Sequence, residues 1–333
     1  MAKPSLCKDF LRASWWTWHF MKRGYNLGLL PGEETITDNL LIYLAHRHQK
    51  QLRIYRLNKS EESKYSADWE WWFHTPRTGT WLGMRVQAKK LNPGTLRYES
   101  LTKGKIEQAD NLIDQSSQPL DEYIQKALGR KVPMVPVYVF YNYWCRDAAC
   151  KEQTLLEGDD WICFNCVLRW YTDHQCPRYP PGCTIADARK VREVINSQAV
   201  SASHGPVLWD LCREMFCWAD LVCRRSDHNE TGANEAIGIA EHVEEVLRSH
   251  GIEAEHHDVE AEICSTECDD KGHCGFLTTF PPTYVQKIYS GGELGEEDTQ
   301  EVDAGFVWII ARDDVSQTTD EPCHCCPLYD YII

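Results

Sequence analysis

Long apolar runs are missing from this 333-residue sequence. A membrane-spanning helix needs roughly 20 consecutive apolar residues, and no run here approaches that length. Nor does a positively charged opening lead into an apolar segment: Ala13 to Phe20 is tryptophan-rich but amphipathic, and it contains His19. Cysteine is scarce at first, since Cys7 alone precedes residue 143 and the other 15 of the 16 follow it. With no visible route to an oxidising compartment, free thiols or metal-bound thiolates are expected in place of a disulfide framework. No internal repeat is evident. The expectation is a soluble, intracellular protein with no signal peptide, no transmembrane segment and no membrane partner.

A uniform charge is lacking too. The net charge of −15 hides a basic part, residues 1–142 with 21 Lys and Arg against 14 Asp and Glu, and an acidic remainder with 14 against 36. A uniformly acidic chain would be a poor polyanion binder, because Lys and Arg displace counterions from phosphates. The split removes that objection for the first part. Charge and cysteine together suggest a division into residues 1–142 and an acidic, cysteine-rich region over 143–333.

Periodicity gives the elements of the first part. Glu33 to His48 reads as a helix, with Ile36, Leu40, Leu41 and Leu44 within an arc of about 140°. Glu33 points near the middle of that arc and Glu34 lies at its edge. The plain reason for an acid there is the helix N-terminus, which favours a carboxylate. Strands follow at Gln51–Leu57, Asp68–Phe73 and Trp81–Leu91, then a helix over Lys105–Gln115, extended or restarted over Leu120–Leu128, and a buried strand over Val137–Tyr141. Beyond Asn142 the pattern suggests helices over 185–197, 208–223 and 234–250 and a short strand over 305–311.

Side-chain alternation puts Asp68 and Glu70 on one face of the second strand, and Arg85, Gln87 and Lys89 on one face of the third. Paired strands bring such faces together about 5 Å apart. A carboxylate, an amide oxygen and backbone carbonyls are hard oxygen ligands of the kind Mg²⁺ or Mn²⁺ takes. A lysine two residues from the ligand is placed to hold a phosphate oxygen or an attacking water. The plain alternatives are a turn aspartate and an exposed strand-end lysine. Trp69, Trp71, Trp72 and Trp81 are placed either to stack bases or, the commoner use of tryptophan at period two, to fill the sheet–helix core.

The order αβββαβ, an acid on the first helix, Asp68 opening the second strand and Gln87-Ala88-Lys89 ending the third resemble the PD-(D/E)XK, or restriction-endonuclease-like, superfamily. The resemblance covers residues 33–142. The stretches GEETITD (32–38), ADWEWW (67–72) and QAKKL (87–91) also resemble a family of uncharacterised proteins that shares this core. The resemblance implies an α/β fold with a restriction-endonuclease-like core followed by a mixed C-terminal region. It makes Asp68 the principal metal ligand and Lys89 the catalytic lysine. Gln87 takes the position usually held by Glu or Asp, as in the Mrr-like branch, and a first-helix glutamate completes the set. Glu33 is preferred to Glu34, because it stands four residues before Thr37 as in related E-x-x-x-T helices. Gln108 is a further candidate from the second helix.

The cysteines supply a second signal. Cys163-x-x-Cys166 has the spacing of half a structural zinc site, with Cys145, Cys150, Cys176 or Cys183 near enough to complete it. Cys264, Cys268, His273 and Cys274, or Cys323 to Cys326 with His324, offer others. Buried thiols are the plain alternative. An iron–sulfur cluster of the kind some superfamily members carry is not expected, because no downstream cysteine triplet matches.

The expectation is therefore a Mg²⁺- or Mn²⁺-dependent nuclease acting on nucleic acid, DNA in preference to RNA, with zinc a candidate second metal and defence against foreign nucleic acid the role by analogy. The alternative is a catalytically inactive nuclease-like fold that serves as an interaction module.

Overall fold

The computed structural model describes residues 5–56, 67–117, 134–144, 182–197, 204–224, 237–252, 276–279, 281–295, 298 and 304–313. At its centre is a hairpin of β2 (Ala67–Thr75) and β3 (Thr80–Lys90), closed by a turn in which Gly79 takes φ +72°. Only glycine adopts that backbone conformation without steric cost. Across the hairpin Trp72 pairs with Gly83, where a Cβ would meet the indole at 2.7 Å. Glycine there makes room for the ring.

The hairpin belongs to a mixed seven-stranded sheet, and the fold is α/β. The other strands are β1 (Leu52–Arg56), β4 (Val135–Tyr141), β5 (Cys183–Asp187), β6 (Phe216–Cys217) and β7 (Ala304–Ala311), in the order β1-β7-β2-β3-β4-β5-β6. β3 runs parallel to β4, and β2 runs parallel to β7. One face, with Trp69, Trp71, Phe73, Met84, Val86 and Ala88, packs on three helices: α1 (Leu6–Asn26), α2 (Glu33–Arg47) and a later helix at Ile239–Ser249. The opposite face, with Trp72, Tyr138, Phe140 and Ile309, packs on α3 (Ile106–Ser117), α4 (Ala188–Asn196) and the helix at Thr283–Ser290. The four-residue helix at Leu208–Leu211 is α5, so the helices at 239–249 and 283–290 are α6 and α7.

Alternation makes this layering: β2 sends its odd-numbered aromatics to one layer and its even-numbered residues to the other. Trp69, Trp71 and Trp72 are each 0% exposed, so they fill the core and present no ring to a base. Buried polar ties fix the helices. Asp9 of α1, itself 0% exposed, accepts hydrogen bonds from Arg12 (3.0 Å), Tyr43 (2.9 Å) and Arg47 (2.8 Å), and lies 2.9 Å from His48. Burial alone would raise its carboxyl, but the bonds from His48, Arg47 and Tyr43 hold it down at about 2. At the far end of the hairpin, Glu241 of α6 accepts from Thr75, Thr78 and Thr80.

Four expectations are corrected here. The division at residue 142 is not a division of the core. β5, β6 and β7 come from the later part, and β7 lies between β1 and β2, where its parallel ladder covers an edge that would otherwise stay open. The helix expected over 185–197 begins only at Ala188. The preceding Cys183–Asp187 is a strand buried on both faces, which a short apolar run does not distinguish from a helix. The helix expected over 208–223 breaks into α5, the two-residue β6 and a 3₁₀ turn at Trp218–Leu221, fixed by the Trp218 indole donating to the Phe10 carbonyl at 2.9 Å. Cys7 and Cys223 are joined in a disulfide, with their Cα atoms 4.9 Å apart, where free thiols were expected. The fold brings these residues together across a sequence separation of 216, which spacing alone does not reveal.

The tryptophan-rich stretch 13–20 is the middle of the longer α1, and the helix expected over 234–250 is α6, beginning at Ile239. The extension over 120–128 lies outside the described residues. Among the described residues no helix is long and apolar enough to cross a membrane.

Candidate functional site

The site residues gather at one end of the hairpin, because antiparallel pairing sets the start of β2 against the end of β3. The register Trp69↔Val86 carried one residue further places Asp68 across from Gln87. Asp68 Oδ2 accepts from the backbone amide of Ala88 at 2.6 Å. Two residues on, the amide of Lys90 donates to Glu33 Oε1 at 3.0 Å. Amides at i and i+2 of a strand point to the same edge. The two carboxylates therefore follow one another along the edge of β3 where β2 gives out, and Lys89 stands between their anchor points.

α2 is docked by several ties at its first turn. Lys90 Nζ donates to the Pro31 carbonyl at 2.8 Å, and Thr37 Oγ1 donates to the Glu33 carbonyl at 2.9 Å. That bond uses the only hydroxyl proton of Thr37, so in the 2.7 Å contact between Thr37 Oγ1 and the Tyr141 hydroxyl the tyrosine is the donor. β4 thus helps to set the helix that carries Glu33. Glu33 is half-buried whereas Glu34 is exposed. The inward aim of Glu33 matches the wheel arithmetic, but its Oε1 is already committed to an amide.

Asp68, Gln87 and Lys89 share the α3 side of the sheet. Asp68 is exposed to solvent at the start of β2, yet protein surrounds it closely. Burial raises its carboxyl to about 6; the Ala88 amide and the Lys89 charge oppose the rise, and the charges of Glu33 and Glu34 add to it. Because the carboxylate remains accessible, water tempers this shift. Lys89 is only 7% exposed, not the exposed strand-end charge of the plain reading, and it makes no hydrogen bond or ion pair among the described residues. Gln87 is likewise 7% exposed, and its buried Oε1 has no hydrogen-bond partner. Leaving such an atom unpaired costs about 1–3 kcal/mol.

Glu70, on the same face, is spent differently. It is 0% exposed and accepts from Arg85 (3.3 Å), the Trp72 indole (3.1 Å) and the Tyr284 hydroxyl (2.5 Å). This buried group joins the hairpin to α7. Gln108 is exposed on α3.

A divalent cation suits the donors that remain. The orphan Gln87 oxygen and the Asp68 carboxylate are hard ligands, and Mg²⁺ is commonly held by one or two side chains plus water and phosphate. Among the described residues no group of three or more His, Cys, Asp and Glu could hold a metal ion. A dedicated all-carboxylate cage is therefore not what this end of the sheet offers.

The zinc candidates Cys145, Cys150, Cys163, Cys166 and Cys176 lie outside the described residues, as do Cys264, Cys268, His273, Cys274 and residues 323–326. Cys183 is described: it is buried and hydrogen-bonded to Thr17 at 3.2 Å, and burial pushes its thiol well above the ordinary range. A thiol so disposed stays neutral and is a poor zinc ligand.

Lys90 and Tyr141 escaped sequence reasoning. Thr37 carried the one available signal, its spacing from Glu33.

Fold and site together define an α/β protein with carboxylates, an amide and a lysine gathered at one end of its central hairpin. A model of a family of unknown function, DUF6615, matches residues 6–316, and the chain belongs to that family. No curated protein and no solved structure matches.

Proposed function

We propose that this protein is a Mg²⁺- or Mn²⁺-dependent nuclease that hydrolyses phosphodiester bonds, in DNA in preference to RNA, with Asp68, Gln87 and Lys89 as its active site. One observation carries the reading: a buried lysine and a buried amide oxygen, neither with a hydrogen-bond partner among the described residues, stand beside a carboxylate raised to about 6. A buried acceptor left unpaired is costly to the fold unless something else uses it.

A bound divalent ion would supply positive charge at the phosphate and lower the pKa of a bound water. Asp68 and Gln87 would hold it. Lys89 neutralises charge that builds on the phosphate oxygens as water adds. Glu33, tied to the Lys90 amide, fixes the end of β3 and adds negative charge that favours a cation at Asp68.

The other reading, an inactive core used for interaction, is favoured by Gln87 in place of an acid. Purified protein incubated with plasmid, linear and single-stranded DNA and with RNA, under Mg²⁺, Mn²⁺ or chelator, tests the proposal. Metal-dependent cutting that chelator abolishes is the expected result. No cutting of any substrate, with no calorimetric heat of Mg²⁺ or Mn²⁺ binding, would leave the interaction module.

A further inference from the structure

Among the described residues no side chain caps the start of α2, which follows Gly32. The bonds that fix this turn come from the sheet, and from one register pair in it: Lys90 of β3 and Tyr141 of β4. Lys90 contributes twice, its amide donating to Glu33 Oε1 at 3.0 Å and its Nζ to the Pro31 carbonyl at 2.8 Å. Tyr141 contributes through Thr37, which accepts from the tyrosine hydroxyl at 2.7 Å and donates to the Glu33 carbonyl at 2.9 Å. The two strands are joined at the same level, where the Leu91 amide donates to the Tyr141 carbonyl at 2.9 Å. These bonds close a circuit through Glu33, Lys90, Tyr141 and Thr37. Glu33 is therefore held at both ends, by its carboxylate on β3 and by its backbone through Thr37 on β4.

The circuit decides where a charge sits. The Asp68 and Glu33 carboxylates are anchored on amides two residues apart along β3, a step of roughly 7 Å. At such range the pull of Glu33 on a cation held at Asp68 depends on keeping the distance fixed. One bond from a flexible glutamate to Lys90 does not fix it, because the helix that carries the residue is free to slide along the sheet. A second tie is needed, and it lies in the interior: Tyr141 is 1% and Thr37 5% exposed, so bulk water does not stand ready to replace the bond between them.

We propose that Tyr141 is a positioning residue for the cation site. Through Thr37 it keeps α2 from sliding along the sheet, and so holds the Glu33 charge in place beside Asp68. The inference rests on the nuclease reading and extends it: a residue of β4 that touches neither metal nor substrate sets how tightly the metal is bound.

Tyr141→Phe removes the hydroxyl and keeps the buried ring. Thr37→Val removes the same tie from the other side, and Thr37→Ser retains it. In the full-length protein, the Mg²⁺ concentration for half-maximal DNA cleavage should rise about 10-fold in Tyr141→Phe and in Thr37→Val, the lower end of the effect of an outer residue at a metal site. Calorimetric affinity for Mn²⁺, measured without DNA, should fall by the same factor. The double variant should be no weaker than Thr37→Val alone, because the two changes remove one shared tie. Thr37→Ser should stay near wild type, and kcat at saturating Mg²⁺ should change little in any of them. A Tyr141→Phe protein with unchanged Mg²⁺ midpoint and Mn²⁺ affinity would overturn the role, even if it cut more slowly at every Mg²⁺ concentration, since a purely structural residue would do that. A Thr37→Ser protein as impaired as Thr37→Val would overturn it too. Either result leaves the nuclease reading in place. Asp68→Asn that cuts like wild type would instead overturn the nuclease reading, and with it this one.

Discussion

Replacing Lys89 by methionine separates chemistry from stability more cleanly than truncation to alanine. The lysine stem is buried along the sheet, and methionine fills nearly the same volume, so no cavity opens. What is lost is an ammonium that has no hydrogen bond or ion pair among the described residues. Desolvation of that charge and its attraction to the accessible Asp68 carboxylate act in opposite directions, and methionine gives up both. The net change in stability should lie within about 1 kcal/mol of zero. It should be read from the urea midpoint at constant m-value. Cleavage, by contrast, should fall about 100-fold or more, the scale for removing one electrostatic contact to the transition state. A loss above about 3 kcal/mol would show that Lys89 serves the fold as the counterion of Asp68. A stable variant that cuts at the wild-type rate would show that the lysine does not touch the reaction.

Three further outcomes test the fold. Arg85→Met leaves Glu70 buried without its cation, so chemical denaturation should report a loss of about 3–5 kcal/mol; a loss under about 1 kcal/mol would mean that Trp72 and Tyr284 satisfy Glu70 alone. Asp9 is held down at about 2 from an ordinary 3.8, so its contribution is complete above pH 3.8 and disappears as pH falls through 2. Asp9→Asn should remove on the order of 1–2 kcal/mol of that acid-sensitive stability, seen as a flatter melting temperature between pH 4 and 2, and curves that stay parallel would refute it. Reducing the Cys7–Cys223 bond should lower stability by on the order of 3 kcal/mol, and thiol titration of unreduced, denatured protein should find at least two fewer thiols than after reduction, whereas equal counts would mean the bond does not form.

The part of the fold legible in sequence is the part built on local period. β2 and β3 show it in the alternation of Trp69, Trp71 and Phe73 against Asp68, Glu70 and Trp72, and α2 shows it in Ile36, Leu40, Leu41 and Leu44. The faces that carry Asp68, Gln87 and Lys89 followed from the same arithmetic. What stayed hidden is non-local. Nothing in Ala304–Ala311 announces that it pairs with both β1 and β2, because a buried strand reads only as an apolar run. The helical reading over 185–197 covers the end of β5 for the same reason. At the site, the period pointed Glu33 inward but could not show that its carboxylate meets the Lys90 amide, since that contact depends on where a loop sets the helix.

The most direct test of the central claim is the rate of DNA cleavage by wild-type protein and by Asp68→Asn, side by side in Mg²⁺ and Mn²⁺. The substitution is nearly isosteric and removes one negative charge beside Gln87 and Lys89. The account predicts metal-dependent cleavage by the wild type and none by the variant, with retention of DNA in a low-salt gel shift little changed, because Lys and Arg elsewhere supply the phosphate contacts. A variant that cuts as fast as the wild type would contradict the account and move the chemistry away from Asp68, Gln87 and Lys89.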